Sequence, residues 1–199
     1  GGTDAALFKI NHTSGALSFV TAPNFEAPTD LNGDNVYDVI VQVSDGVIID
    51  SQSIAVTVRD VKEAPVITSD GGVETASVAI DENLTAVTTV TATDEDAGAI
   101  VTFSIVGGDD ASKFAIDPVT GVLSFIAAPD FEVPTDVGAN NVYDVIVQAT
   151  DETGLFDTQA IAVAVGNGPD APVITSNAAV SVDENLTAVT TVTATDEDA

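Results

Sequence analysis

Apolar residues recur at every second position over long stretches of the chain. In VYDVIVQA (142–149), Tyr143, Val145, Val147 and Ala149 share one phase, and in VTFSI (101–105) Val101, Phe103 and Ile105 do so. In QAIAVAV (159–165) the same phase holds Ile161, Val163 and Val165. A period of two places these side chains on one face of a β-strand. Turn-rich segments separate the runs: DEDAG (94–98), GGDD (107–110), DPVTG (117–121), PTDVGANN (134–141) and DETG (151–154). About seven short strands between residues 64 and 170 predict an all-β fold, a Greek-key sandwich of immunoglobulin-like type.

The pattern is also written more than once. FEAPTD (25–30) returns as FEVPTD (131–136), and NVYDVIVQ (35–42) returns at 141–148, both 106 residues later. APVITS (64–69) returns at 171–176, and DENLTAVTTVTATDEDA (81–97) returns unchanged at 183–199. On this period residues 64–170 are one complete repeat, 1–63 the C-terminal part of a repeat, and 171–199 the N-terminal third of another. So long a period means domains with cores of their own, strung in tandem, rather than a thin solenoid. Residues 171–199 would bring the first two strands of a sandwich and residues 1–63 the other five. The tail of one chain could then complete the head of a neighbour and build a head-to-tail filament.

Charge narrows the partners. The chain has 32 Asp and Glu against 4 Lys and Arg, a formal net charge of −28. Nucleic acid is excluded, and this segment is expected to make no contact with an anionic membrane. No apolar run approaches the roughly 20 residues of a membrane helix. With no cysteine, neither disulfides nor thiolate metal sites are available.

The acids are not evenly spread. They gather in DEN (Asp81, Glu82, Asn83), DED (Asp94, Glu95, Asp96), DFE (Asp130, Phe131, Glu132), TDE (Asp151, Glu152) and the linker RDVKEAP (Asp60, Glu63). Alternation in a strand puts i and i+2 on the same side, so Asp94 with Asp96, and Asp130 with Glu132, can aim two carboxylates at one point. Oxygen-only clusters suit a hard cation, and Ca2+ takes six to eight oxygens.

These motifs, in this order, resemble tandem cadherin and bacterial cadherin-like repeats of long extracellular, adhesin-type surface proteins. The resemblance covers the whole chain and implies calcium held where successive repeats meet. Carried over residue by residue, it implies one site from Glu26, Asp60, Glu63, Asp94, Asp96 and Asp151. A second would use Glu82, Asp130, Glu132, Asp170, Asp196 and Asp198, with Glu184 and Asp45 as the counterparts of Glu82 and Asp151. The pattern is broken at Asn24, where the complete repeat has Asp130, and at Lys62, where the family linker has Asn. Asn167 stands in place of Asp60. The resemblance further implies an extracellular or cell-surface location and, as partners, neighbouring copies of the same repeat.

Two other functional classes fit the sequence less well. Paired carboxylates also serve glycosidases, but the lone His12 falls in a turn that reads IDPVTG in the complete repeat, and no nucleophile–base pair or phosphate loop accompanies the acids. The chain therefore reads as non-catalytic. A carbohydrate- or protein-binding module would want exposed aromatics, whereas Tyr37 and Tyr143 sit in core phase. In TDLNGDN, Asp30, Asn32 and Asp34 have the alternating oxygens of a calcium loop, while NG is also a turn signal.

Overall fold

The computed structural model describes residues 1–197. The chain divides into two compact units, one of residues 1–64 with 94–99, the other of residues 65–93 with 100–199.

The first unit carries four strands: β1 (Phe8–Ile10), β2 (Leu17–Phe19), β3 (Val36–Ser44) and β4 (Ile49–Thr57). β1 pairs with β2 and β3 with β4, both antiparallel. Alternation expected five strands here. The 106-residue offset explains the difference, because residue 1 corresponds to residue 107 and the counterpart of the strand at 102–107 falls before the first residue.

In the second unit follow β5 (Val66–Ile67), β6 (Thr75–Asp81), β7 (Ala86–Thr89), β8 (Ala92–Thr93), β9 (Thr102–Gly107), β10 (Phe114–Ile116), β11 (Val122–Phe125), β12 (Val142–Thr150) and β13 (Phe156–Gly166). They make a four-stranded sheet in the order β6-β13-β12-β9 and a three-stranded one in the order β10-β11-β7. β6 runs parallel to β13, in register from Thr75 opposite Ala160 to Asp81 opposite Gly166. The alternating positions fill the core as expected: Tyr143, Val145, Val147, Ala149, Ile161, Val163 and Val165 are buried, with Leu123, Phe125 and Phe114 from the other sheet and Val90 just past the end of β7. Val101, Phe103 and Ile105 are only partly buried, because β9 is an edge strand. Residues 171–197 add β14 (Val173–Ile174) paired with β15 (Ala194–Thr195). The pairing repeats that of β5 with β8, where Val66 faces Thr93 and Ile67 faces Ala92.

Both units share an aspartate clip. Asp110 is 3% exposed, and its carboxylate accepts the N–H of Val137 at 2.8 Å and of Asp144 at 3.0 Å. Its counterpart Asp4 accepts from Leu31 at 2.9 Å and Asp38 at 2.8 Å. Two residues earlier, Gly108 and Gly2 have φ of +101° and +103°, and a Cβ on either would strike backbone atoms of the neighbouring strand at 2.3 and 2.5 Å. Only glycine permits that approach.

Candidate metal centres

In the first unit, Glu26, Asp60, Glu63 and Asp96 each offer an oxygen, and these four atoms lie within 4.8 Å of one another. Loop hydrogen bonds place them. Asn24 Oδ1 accepts the N–H of Glu26 at 2.7 Å and of Ala27 at 3.1 Å, winding the segment after β2. The N–H of Asp96 donates to Asp94 Oδ1 at 2.9 Å, and that of Glu63 to Asp96 Oδ2 at 3.3 Å. Where the complete repeat has Asp130, the Asn24 amide donates to Glu95 at 3.2 Å. Partial burial pushes the Glu63 carboxyl above the ordinary glutamate range, and the charges of Glu26, Asp96, Asp60 and Glu95 push the same way. Glu63 Oε2 and Asp94 Oδ2 are enclosed and accept no hydrogen bond. Lys62 reaches into this group, its Nζ 2.8 Å from Asp96 Oδ1 and 3.0 Å from Asp60 Oδ2.

In the second unit, Glu82, Glu132 and Asp170 form one such group, and Asp130, Glu132 and Glu197 another. Glu82 follows β6 and is 3% exposed. Its Oε2 accepts the N–H of Phe131 at 2.6 Å and its Oε1 that of Gly168 at 2.8 Å, so a single side chain ties the 130–132 loop to the linker. Asn83 donates to Asp170 at 2.9 Å, Asn167 donates to Glu132 at 2.8 Å, and Asp130 Oδ1 accepts the N–H of Val133 at 2.8 Å. Partial burial raises the Glu132 carboxyl; its own N–H opposes this, and the charges of Glu82, Asp170 and Asp130 add to the rise.

The paired carboxylates converge, but not by strand alternation. Residues 94–96 and 126–132 lie outside strands. There the carboxylate–amide bonds of the loops fold the chain back on itself, a geometry that strand alternation does not describe.

The other expected residues are placed as follows. Asp151 is buried, and its carboxylate accepts from Thr153 N at 2.8 Å and Leu155 N at 2.9 Å. Burial pushes that carboxyl up, yet the donors of Thr153, Leu155 and Gly154 outweigh it and hold it below the aspartate range. Asp45 accepts from Ile48 at 2.7 Å and Val47 at 2.9 Å, capping the β3–β4 turn, and these donors lower its carboxyl. Glu184 and Asp196 lie in the exposed stretch 177–197, and Asp198 is outside the described residues. In the TDLNGDN turn, Asp34 Oδ2 accepts from Asn32 at 2.9 Å, its Oδ1 from Val36 N at 2.9 Å, and Asp30 Oδ2 from Asp34 N at 2.9 Å. His12 sits in the exposed β1–β2 turn. Glu197 was not singled out in the sequence, although its counterpart Glu95 lies inside the DED motif.

All three groups are built of carboxylate oxygen, the donor set of a hard cation. Two oxygens that each bind calcium at 2.3–2.6 Å lie no more than about 5 Å apart, and the 4.8 Å span of each group meets that limit.

Comparison with known proteins gives the fold its family. Residues 76–165 match the family model of the cadherin domain. This stretch is a cadherin-like repeat. Mouse protocadherin Fat 2 is 31% identical over 156 residues, 74% of this chain and 3% of that protein. Human protocadherin-15 is 33% identical over 125 residues, 59% of this chain and 6% of its own length. The chain thus spans a small part of each of these relatives. The solved structure of Drosophila N-cadherin EC1-4 superposes with a TM-score of 0.55 over 98% of this chain and 49% of that one, at 19% identity, a likeness of fold. Within the cadherin-like repeat, Glu82 follows the first strand of the four-stranded sheet, and Glu132 stands in the loop between β11 and β12. Among the described residues no helix is long and apolar enough to cross a membrane.

Proposed function

We propose that the chain is a non-catalytic, calcium-stiffened segment of a long extracellular adhesive repeat protein. Residues 64–170 are one whole repeat, 1–63 and 171–199 are parts of its neighbours, and the cations are held at repeat boundaries. The observation that carries this reading is the gathering of linker acids with loop acids: Asp60 and Glu63 with Glu26 and Asp96, and Asp170 with Glu82 and Glu132. Carboxylates held this close repel one another, and the Glu63 and Glu132 carboxyls are raised first by partial burial and further by these neighbouring charges. Ca2+ supplies the missing positive charge and fixes the linker to the loops. Glu82 contributes by orientation, holding residues 131 and 168 through its two oxygens.

Extracellular calcium modules bind at about 0.1–1 mM, so at about 1 mM calcium each ion adds roughly 0.4–1.4 kcal/mol to the folded, bound form. Several ions per boundary are needed to set the stiffness of a linker. The partners on this reading are neighbouring copies of the same repeat. Thermal melting and small-angle scattering of the chain, with calcium and with chelator, test it. Calcium is expected to raise the melting temperature and lengthen the particle; identical values of both in chelator would refute it.

A further inference from the structure

The two linkers differ both in their acids and in their charge chemistry. In the first, the side chain two residues beyond Asp60 is Lys62, and its ammonium lies between Asp60 Oδ2 at 3.0 Å and Asp96 Oδ1 at 2.8 Å. Both oxygens belong to residues of the four-carboxylate group. The Asp96 side chain is only 3% exposed, so this carboxylate has little water to share and takes its positive charge from Lys62. In the second linker Asn167 replaces Asp60 and Pro169 replaces Lys62. There Glu82, Glu132 and Asp170 gather, with Asp130 and Glu197 beside them, and the nearby side-chain donors are the neutral amides of Asn83 and Asn167.

We propose that Lys62 is a tethered cation that occupies part of the calcium position in the first carboxylate group, so that this group holds its geometry without calcium while the Glu82–Glu132–Asp170 group depends on the ion. This rests on the calcium reading above and sets which group is calcium-dependent. An ammonium presents a single charge at hydrogen-bond distance, whereas calcium binds six to eight oxygens directly. To enter the first group, calcium must expel the ammonium from Asp96 and Asp60, breaking two charge-assisted hydrogen bonds. The ion also meets the like charge of Lys62 until the side chain swings into water. The flexible four-carbon stem of lysine allows that swing, and the displaced ammonium is strongly hydrated once outside. The substitution is thus an affinity setting, not a block.

The chain would therefore respond to calcium in two steps. At low calcium the first group is already neutralised in part by Lys62, and the second group loads; at higher calcium the first exchanges its ammonium for the ion. An array built of both linker types would have boundaries that stay ordered when calcium falls and boundaries that loosen.

The test uses the full chain carrying Glu132→Gln, to weaken the second group, with Lys62 or with Lys62→Asn, and follows calcium binding by titration calorimetry. Lys62→Asn is expected to tighten binding at the first group about tenfold, the release of two such ion pairs. In chelator the same substitution is expected to lower the melting temperature, and in excess calcium to raise it above that of the Lys62 chain. Superimposable isotherms, or a melting temperature in chelator that does not fall, would overturn the proposal. If the unmodified chain gives no calcium heat at all, the calcium reading itself fails. The ion pair then stands or falls on the Lys62 15Nζ resonance in chelator: a slowly exchanging ammonium signal that Asp96→Asn abolishes is expected, and its absence overturns the inference.

Discussion

Replacing Glu82 by Gln isolates what the carboxylate contributes apart from any ion. In the native chain Oε2 takes the N–H of Phe131 at 2.6 Å and Oε1 that of Gly168 at 2.8 Å, at a site 3% exposed. Glutamine keeps one acceptor oxygen and turns an NH2 toward the other backbone donor. One charge-assisted bond is lost, the second becomes a neutral one, and a donor is left facing a donor. At about 1.5–3 kcal/mol per bond to a charged group, the loss is about 2–4 kcal/mol. Removing one negative charge beside Glu132 and Asp170 returns about 1 kcal/mol of it. Glu82→Ala leaves both donors unsatisfied and costs about 3–6 kcal/mol. Urea unfolding in chelator, followed by circular dichroism, gives these differences without a calcium contribution, and hydrogen exchange reports the two amides directly. The expected order of stability is Glu, Gln, Ala, with the Phe131 and Gly168 amides losing protection first. A glutamine variant within 0.5 kcal/mol of the native chain, with both amides still protected, would refute the assignment of Glu82 as the tie between loop and linker.

Other outcomes follow from the same bonds. Asp110→Asn, which leaves one of the two donors of Val137 and Asp144 unmatched, is expected to cost about 1–3 kcal/mol in denaturant unfolding, and Asp4→Asn is expected to lower the melting temperature of the first unit likewise. Burial pushes the Asp136 carboxyl up, but the N–H groups of Asn140, Asn141 and Gly138 outweigh it and hold it below the aspartate range. Its contribution is therefore complete above the unfolded value near pH 4 and is lost as pH falls through the lower folded value, so the stability gap between native chain and Asp136→Asn should close in acid unfolding below about pH 4. Because the Glu63 and Glu132 carboxyls are raised, protons reach them first on mild acidification, and the calcium-induced rise in melting temperature should shrink as pH drops toward the glutamate range.

The fold was readable because its core strands are long and strictly alternating: Tyr143, Val145 and Val147 are at most 1% exposed, as their phase requires. The membership of the carboxylate groups was readable in part. Clustering marks Asp60, Glu63, Glu82 and Glu132 in the sequence, but their convergence depends on loops wound by Asn24, Asp94 and Asp130, whose side chains bond to the backbone two or three residues on. Period-two reasoning does not describe such segments. Asp4 and Asp110 escaped notice because an Asp beside two glycines reads as a turn residue. The signal was present all the same, for GGTDA and GGDDA recur at the 106-residue offset shared by FEAPTD/FEVPTD and NVYDVIVQ. The reach of Lys62 into the acids could not come from sequence at all, since it depends on which way a flexible side chain leaves the linker.

The parallel pairing of β6 with β13 has a mechanical meaning. β6 opens the four-stranded sheet near the start of the repeat and β13 closes it at the end, and seven rungs join them, from Thr75–Ala160 to Asp81–Gly166. Tension along the chain pulls β6 from the Thr75 end and β13 from the Gly166 end. In a parallel pair these pulls are opposed along the strand axes, so every rung is loaded in shear at once rather than peeled open in turn. The strand ends that leave this ladder, Asp81 and Gly166, sit next to Glu82 and Asn167, so force entering through the linker meets the carboxylates and the shear ladder at the same point.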